Sequence, residues 1–202
     1  GIVSGQELEP LLNKPSVLIV GPGLGRSPWS EQLLQRAVAT GLPMVVDADA
    51  LNIIAEGRVV RQPDGSRWVM TPHPAEAARL LSISIEQVQA DRFAAVRQLQ
   101  EKYRAVVLLK GAGTLIAAPD EELIMVCPYG NPGMATGGMG DILSGIIGAL
   151  LAQGLEPRLA AQLGCCLHSA AADMAVEEQG MRGLTATDVL CYLRKLLNSD
   201  VV

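Results

Sequence analysis

Hydrophobic positions in this chain fall into short apolar runs separated by longer amphipathic stretches. Val17-Leu-Ile-Val20 is a continuous apolar run ending in glycine, the pattern of a buried strand followed by a tight turn. Ser27-Pro28 opens a helix with Leu33, Leu34, Ala37 and Val38 on one face. Pro43–Val46 and Trp68–Met70 predict two more strands, ending at Asp47 and at Thr71-Pro-His-Pro74. Ser84-Ile-Glu-Gln87 has capping-box spacing and predicts one long helix running to Tyr103. Ala105–Leu109 is the clearest strand. Thr114–Ala117 and Leu123–Val126 flank Pro119-Asp-Glu-Glu122 and read as a hairpin. Beyond Asp141 the pattern is helical to Gln153, with Gly154 as the stop. A second helix spans about Arg158 to Glu178, and Thr185–Asp188 starts the last one.

Strands alternating with helices predict a layered α/β fold with a mainly parallel sheet. No repeat, low-complexity segment or linker divides residues 1–202, so a single domain is expected, long enough to bury a core unaided. Ligands in such folds sit at the carboxyl ends of the strands. Here those ends carry chemistry: glycines after Val20, Asp47 after Val46, His73 after Met70 and Lys110 after Leu109.

Composition narrows the function. The net charge is −5 and aromatics are 3% of the chain. A negative protein with few stacking platforms is a poor match for nucleic acid or for anionic membranes. The apolar stretch Ile142–Leu155 is interrupted by Ser144, Gly145, Gly148, Gln153 and Gly154, too short and broken to span a bilayer. The start, GIVSGQELEPLL, lacks the basic and apolar regions of a secretory signal. Cys127, Cys165, Cys166 and Cys191 form no C-x-x-C pair and there are two histidines, so neither a zinc site nor a disulfide framework is expected. Reduced, mostly buried thiols in a cytoplasmic protein are the expectation.

The strongest feature is Gly130-Asn-Pro-Gly-Met-Ala-Thr-Gly-Gly-Met-Gly-Asp141, which runs into a helix. Seven of the 21 glycines fall between Gly130 and Gly148. Glycines let backbone amides approach an anion, and a helix N-terminus adds free N–H groups and partial positive charge. Asp141 stands where a carboxylate takes a proton from a hydroxyl. The alternative, a helix cap among turn-forming glycines, accounts less well for four glycines within Gly133–Gly140. The segment is neither a Walker A loop nor a dinucleotide fingerprint, and Gly21-Pro-Gly-Leu-Gly25 also has the wrong spacing for the latter. Lys110-Gly-Ala-Gly-Thr114 offers a cation beside glycines that admit a nucleotide, or simply turns a hairpin corner. Prolines on both sides of His73 aim its imidazole, and Glu76 follows as a first-turn helix charge. His168, among Ala and Leu residues, reads as packing.

GPGLG, DADALN, TPHPAE, KGAGT and NPGMATGGMGD occur in this order over nearly the whole chain. In them the chain resembles the ADP/ATP-dependent NAD(P)H-hydrate dehydratases of the ribokinase-like superfamily, most closely the C-terminal part of bacterial bifunctional repair enzymes. The resemblance implies a three-layer α/β/α fold. It implies repair of hydrated NADH and NADPH, with ADP or ATP and Mg²⁺, in a cytoplasmic homo-oligomer that has an epimerase domain fused or separate. By motif, Asp141 would be the base, and Gly138 and Gly140 the anion hole. Lys110, Gly111, Ala112, Gly113, Thr114 and Gly140 would bind the nucleotide. Gly25, His73, Asn131 and Asp141 would line the substrate pocket, and Glu76 would help hold the metal. Asp47 and Asn52 lie near the pocket by motif, without an assigned role. Two departures stand out. Ala75 replaces the usual glycine of TPHPAE, and the βα elements that open the family domain have no counterpart here, so an N-terminally incomplete domain with an open sheet edge is expected. A small-molecule kinase of the same superfamily, and a nucleotide-binding fragment without turnover, are the competing readings.

Overall fold

The computed structural model describes residues 9–58, 64–119 and 121–198. Six short strands form one sheet in chain order: β1 Leu18–Val20, β2 Met44–Val46, β3 Trp68–Met70, β4 Val106–Leu109, β5 Leu115–Ala117 and β6 Met125–Val126. β1 to β4 are parallel. β5 is antiparallel to both neighbours, so it alone points the other way. Val20, Val46, Met70 and Val107 pair in one row, which aligns the carboxyl ends of the first four strands. The strand–helix alternation and the hairpin are as the sequence predicts; Asp120, in the expected hairpin turn, lies outside the described residues.

Side-chain alternation sorts the strands between two cores. Met44, Val46, Trp68, Met70, Val107 and Leu109 face one way, with α2 (Pro28–Ala39), α3 (Ala48–Glu56), α4 (Pro74–Leu81), α5 (Ile85–Ala90) and α6 (Arg92–Tyr103). Val45, Val69, Val106, Leu108 and Ile116 face α7 (Met139–Ala152) and α8 (Pro157–Gln179). Burying each of Leu108 and Leu109 contributes about 1.5–3 kcal/mol. A third cluster joins Ala171, Ala172 and Ala175 of α8 to Val189 and Tyr192 of α9 (Asp188–Asn198). A short helix, α1 (Glu9–Leu12), precedes the sheet.

The helices differ in part from the sequence reading. The helix expected from Ser84 to Tyr103 is two helices. Asp91 (φ −145°, ψ 86°) leaves helical geometry, ends α5, and caps α6 by accepting from Ala94 N–H. α3 was not foreseen; α4 follows the reading of Glu76 as a first-turn helix charge. α3 is capped by Asp47 and stopped by left-handed Gly57; α4 is capped by a histidine, outside the Ser/Thr/Asp/Asn vocabulary of helix starts. α8 runs where a helix was expected, and it is longer and more continuous than the Ile142–Leu155 stretch. It is long and apolar enough to cross a bilayer, but Ala160, Ala161, Cys165, Ala171, Ala172 and Ala175 are buried inside the protein, which makes it a core helix.

Candidate functional site

The site forms where the aligned strand ends meet the first turn of α7. Parallel strands leave their last carbonyls and N–H groups directed along one edge. The loops extend the ladder through Asp47 N–H to Val20 O, Thr71 N–H to Val46 O and Lys110 N–H to Pro72 O. The motifs are thereby held as a row.

The DADALN segment ties that row together. Asp47 is buried. Its carboxylate accepts from Lys110 Nζ at 2.8 Å, Ser144 Oγ at 2.8 Å and its own helix's Ala48 N–H at 2.9 Å. This joins β2, β4 and α7 at one carboxylate, and Ala48 takes a left-handed φ of 47° beside it. Asp49 accepts from Gly25 N–H at 2.8 Å and so holds the GPGLG loop. Asn52 accepts from Arg79 of α4 at 2.9 Å. Asp47 and Asn52, unassigned from sequence, are thus scaffold residues.

His73 and Glu76 form a reciprocal cap of α4. His73 Nδ1 accepts from Ala75 N–H at 3.1 Å, and Glu76 accepts from His73 N–H at 2.8 Å, with its other oxygen 3.3 Å from His73 Nε2. Burial, then the charges of Lys110 and Arg79, lower the His73 pKa, so the imidazole is neutral near pH 7. With Nδ1 accepting, Nε2 carries the proton. Burial raises Glu76. Both residues feel the charges of Lys110 and Asp47 but do not line the main cleft.

That cleft, of about 610 Å³, lies on the β5–β6 side. Lys110, Gly111, Ala112, Gly113, Thr114, Asn131 and Gly140 all line it. Gly25, Gly138 and Asp141, also named from the sequence, are not among its lining residues. Lys110 is the one cation in the lining, and it is already paired with Asp47. Gly138, left-handed at φ 88°, begins α7, so Asp141 sits in the helix's first turn rather than at its cap. Asp141 is exposed and has no hydrogen-bond partner among the described residues. A β-carbon on Gly140 would stand 3.5 Å from Lys110 Nζ and 3.7 Å from Asp47 Oδ2. The glycine therefore leaves open the space between the helix N-terminus and the ion pair.

Two residues escaped sequence reasoning. Asp173 of α8 accepts from Gly130 N–H and Asn131 Nδ2, each at 2.8 Å, and so fixes the glycine-rich loop. His168 was read as packing. It is buried but lines the cleft, and its Nε2 has no partner among the described residues; burial pushes its pKa down to about 4. Its helical spacing with Cys165, Ser169 and Asp173 was the available signal. Among the described residues no group of three or more His, Cys, Asp or Glu is placed to hold a metal ion.

A three-layer α/β protein with a glycine-rich helix start facing its strand ends is ribokinase-like. A ribokinase-like superfamily protein from Enterococcus faecalis has the same fold (TM-score 0.77, 30% identity, covering 96% of this chain and 69% of that one). The NAD(P)H-hydrate dehydratase profile matches residues 3–195, and the chain belongs to that family. It is 54% identical over 197 residues to the bifunctional NAD(P)H-hydrate repair enzyme of Coxiella burnetii, covering 98% of this chain and 39% of that protein. It is 46% identical over 185 residues to the ADP-dependent (S)-NAD(P)H-hydrate dehydratase of Neisseria meningitidis, covering 89% and 62%. An ADP/ATP-dependent NAD(P)H-hydrate dehydratase from Bacillus subtilis, co-crystallized with ATP/Mg²⁺, superposes with a TM-score of 0.79 at 27% identity, covering 90% of this chain and 64% of that one. The chain thus spans about two fifths of the bifunctional relative's length.

Proposed function

We propose that this chain dehydrates hydrated NADH and NADPH at the expense of an adenine nucleotide, with ADP giving AMP and phosphate (or ATP giving ADP). The observation that carries the reading is the free carboxylate of Asp141 beside an open anion cradle. Asp141 takes the proton of the ring hydroxyl as that oxygen attacks the terminal phosphorus of the nucleotide. The N–H groups of Gly138 and Gly140, at the positive end of α7, stabilise charge on the transferred phosphoryl group. Lys110 to Thr114 hold the nucleotide. Phosphate then leaves the ring carbon with its C–O electron pair, the adjacent ring carbon gives up a proton, and the ring double bond of the dihydronicotinamide is restored. Gly25, neutral His73, Asn131 and Asp141 are assigned to the hydrated dinucleotide.

The cleft lining holds no carboxylate, so Mg²⁺ would bind there mainly through ligand phosphates and water, with a carboxylate from beside the cleft. Glu76 is the carboxylate assigned to it, directly or through water. The ion would supply charge neutralisation that Lys110, already matched by Asp47, does not. The bifunctional names of relatives support an epimerase partner, fused or separate. Unpaired cysteines support a reducing, cytoplasmic setting. A homo-oligomer is the expected assembly.

The test is an absorbance assay for return of the dihydronicotinamide, with ADP, Mg²⁺ and hydrated NADH, on this chain and on a version extended at the N-terminus. No return in either overturns the reading. Asp141→Asn should keep nucleotide binding and lose turnover by about 10²–10⁴-fold, and unchanged turnover would remove Asp141 as base.

A further inference from the structure

Arg92 opens α6 and plays no part in the chemistry above. Its side chain crosses from the helix to the loop that follows β4. Nη1 donates to Ala112 O at 2.7 Å and Nη2 to Leu109 O at 3.4 Å. Nε is enclosed and lacks a partner, and no carboxylate pairs with this guanidinium among the described residues. The approach needs Gly111: a β-carbon there would lie 2.8 Å from Nη2. One planar fork therefore grips the loop on both sides of Gly111.

This grip has a directional consequence. The Ala112–Gly113 peptide is trans, so its carbonyl and its N–H point opposite ways. The carbonyl is tied to Arg92. The N–H of Gly113 is turned away from Arg92, makes no hydrogen bond among the described residues, and belongs to a residue lining the cleft.

We propose that Arg92 is a positioning residue for the nucleotide: by holding the Ala112 carbonyl it presents the Gly113 N–H to an acceptor on the adenine nucleotide in the cleft. The assignment rests on the nucleotide reading of that cleft. Arg92 also keeps an unpaired positive charge beside the loop, whereas the charge of Lys110 is shared with Asp47.

The test uses the full chain, with ADP as the probe. Calorimetric titration of Arg92→Gln should show ADP binding weakened roughly tenfold, with the kinetic change falling on the KM for ADP more than on kcat. Arg92→Lys, which satisfies one carbonyl but not two, should fall between. In amide NMR spectra the Gly113 resonance should shift on adding ADP to the wild-type chain, and shift less in Arg92→Gln. Equal ADP affinity in all three proteins, or a Gly113 amide indifferent to ADP while ADP binds, overturns the assignment. If the wild-type chain binds neither ADP nor ATP, the nucleotide reading itself fails and takes the assignment with it. Should Arg92→Gln lose its thermal transition, Arg92→Lys and the wild-type Gly113 signal decide alone.

Discussion

The two halves of the site differ in how their polar groups are satisfied. Around DADALN and TPHPAE, Asp47, Asp49 and Asn52 are tied to distant parts of the protein, and His73 and Glu76 are bonded within the cap of their own helix. On the cleft side Lys110 and Asn131 are bonded within the protein too, but three groups at or beside the cleft are not. Asp141 is unbonded, Nε2 of His168 is orphaned, and the Gly113 N–H is free among the described residues. Buried or converging polar groups left without partners cost free energy unless something else supplies the bond. The Asp47, Asp49 and Asn52 bonds are therefore scaffold, His73 and Glu76 combine a capping role with the ligand roles proposed above, and the unsatisfied groups mark where we propose that a ligand completes the structure. Mutations should separate the two: scaffold changes should cost stability, cleft changes binding.

The largest effect is expected at Asp47. Asp47→Ala strands the Lys110 ammonium and the Ser144 hydroxyl. It should destabilise the fold by about 3 kcal/mol, the low end for breaking a buried pair because Lys110 is partly exposed. Chemical denaturation would show it, and adding Lys110→Met should recover much of the loss. A neutral outcome would mean that Asp47 does not hold the row together.

Next comes His168, whose folded pKa of about 4 lies below its ordinary 6.5. The unfolded chain takes up a proton first as pH falls, so stability is full above 6.5 and is lost towards 4. By about pH 5 the loss is on the order of 2 kcal/mol. His168→Leu should flatten this acid limb in denaturation midpoints measured across pH. A limb of unchanged slope would place the titration elsewhere.

The smallest change in stability belongs to Gly140→Ala. An added methyl meets only ordinary contacts, and alanine is the better helix former, so the fold should gain about 0.5–1 kcal/mol. The same methyl intrudes between α7 and the ion pair, and ADP should bind roughly tenfold more weakly. Thermal melts and calorimetry on one variant would thus move in opposite directions. If both improved, the helix start would not be the anion cradle.

Much of this was legible in the sequence. Short apolar runs gave strands within one or two residues, and the Gly130–Asp141 segment marked the glycine-rich start of α7, because both signals are local. The scaffold was not legible, because its partners lie far apart. Asp49 reaches 24 residues to Gly25, Asn52 reaches 27 to Arg79, and Asp47 reaches 63 to Lys110 and 97 to Ser144. His168 was misread for a related reason: its apolar neighbours are plain in the sequence, but a nitrogen without a partner is a property of the fold. The break at Asp91 was missed because helical pattern resumes at once on the far side of a single capping residue.

The span from Asp47 to Ser144 bears on how the molecule is made. One face of the sheet is covered by helices that return between successive strands, so it can consolidate as the chain leaves the ribosome. The opposite face waits for α7 and α8, synthesised after all six strands. Until they arrive, Val45, Val69 and Leu108 lack their cover, and Asp47 lacks the serine that completes its shell. A nascent chain stalled before Met139 would thus present a half-finished, sticky sheet, the state in which a chaperone or a protease would meet it.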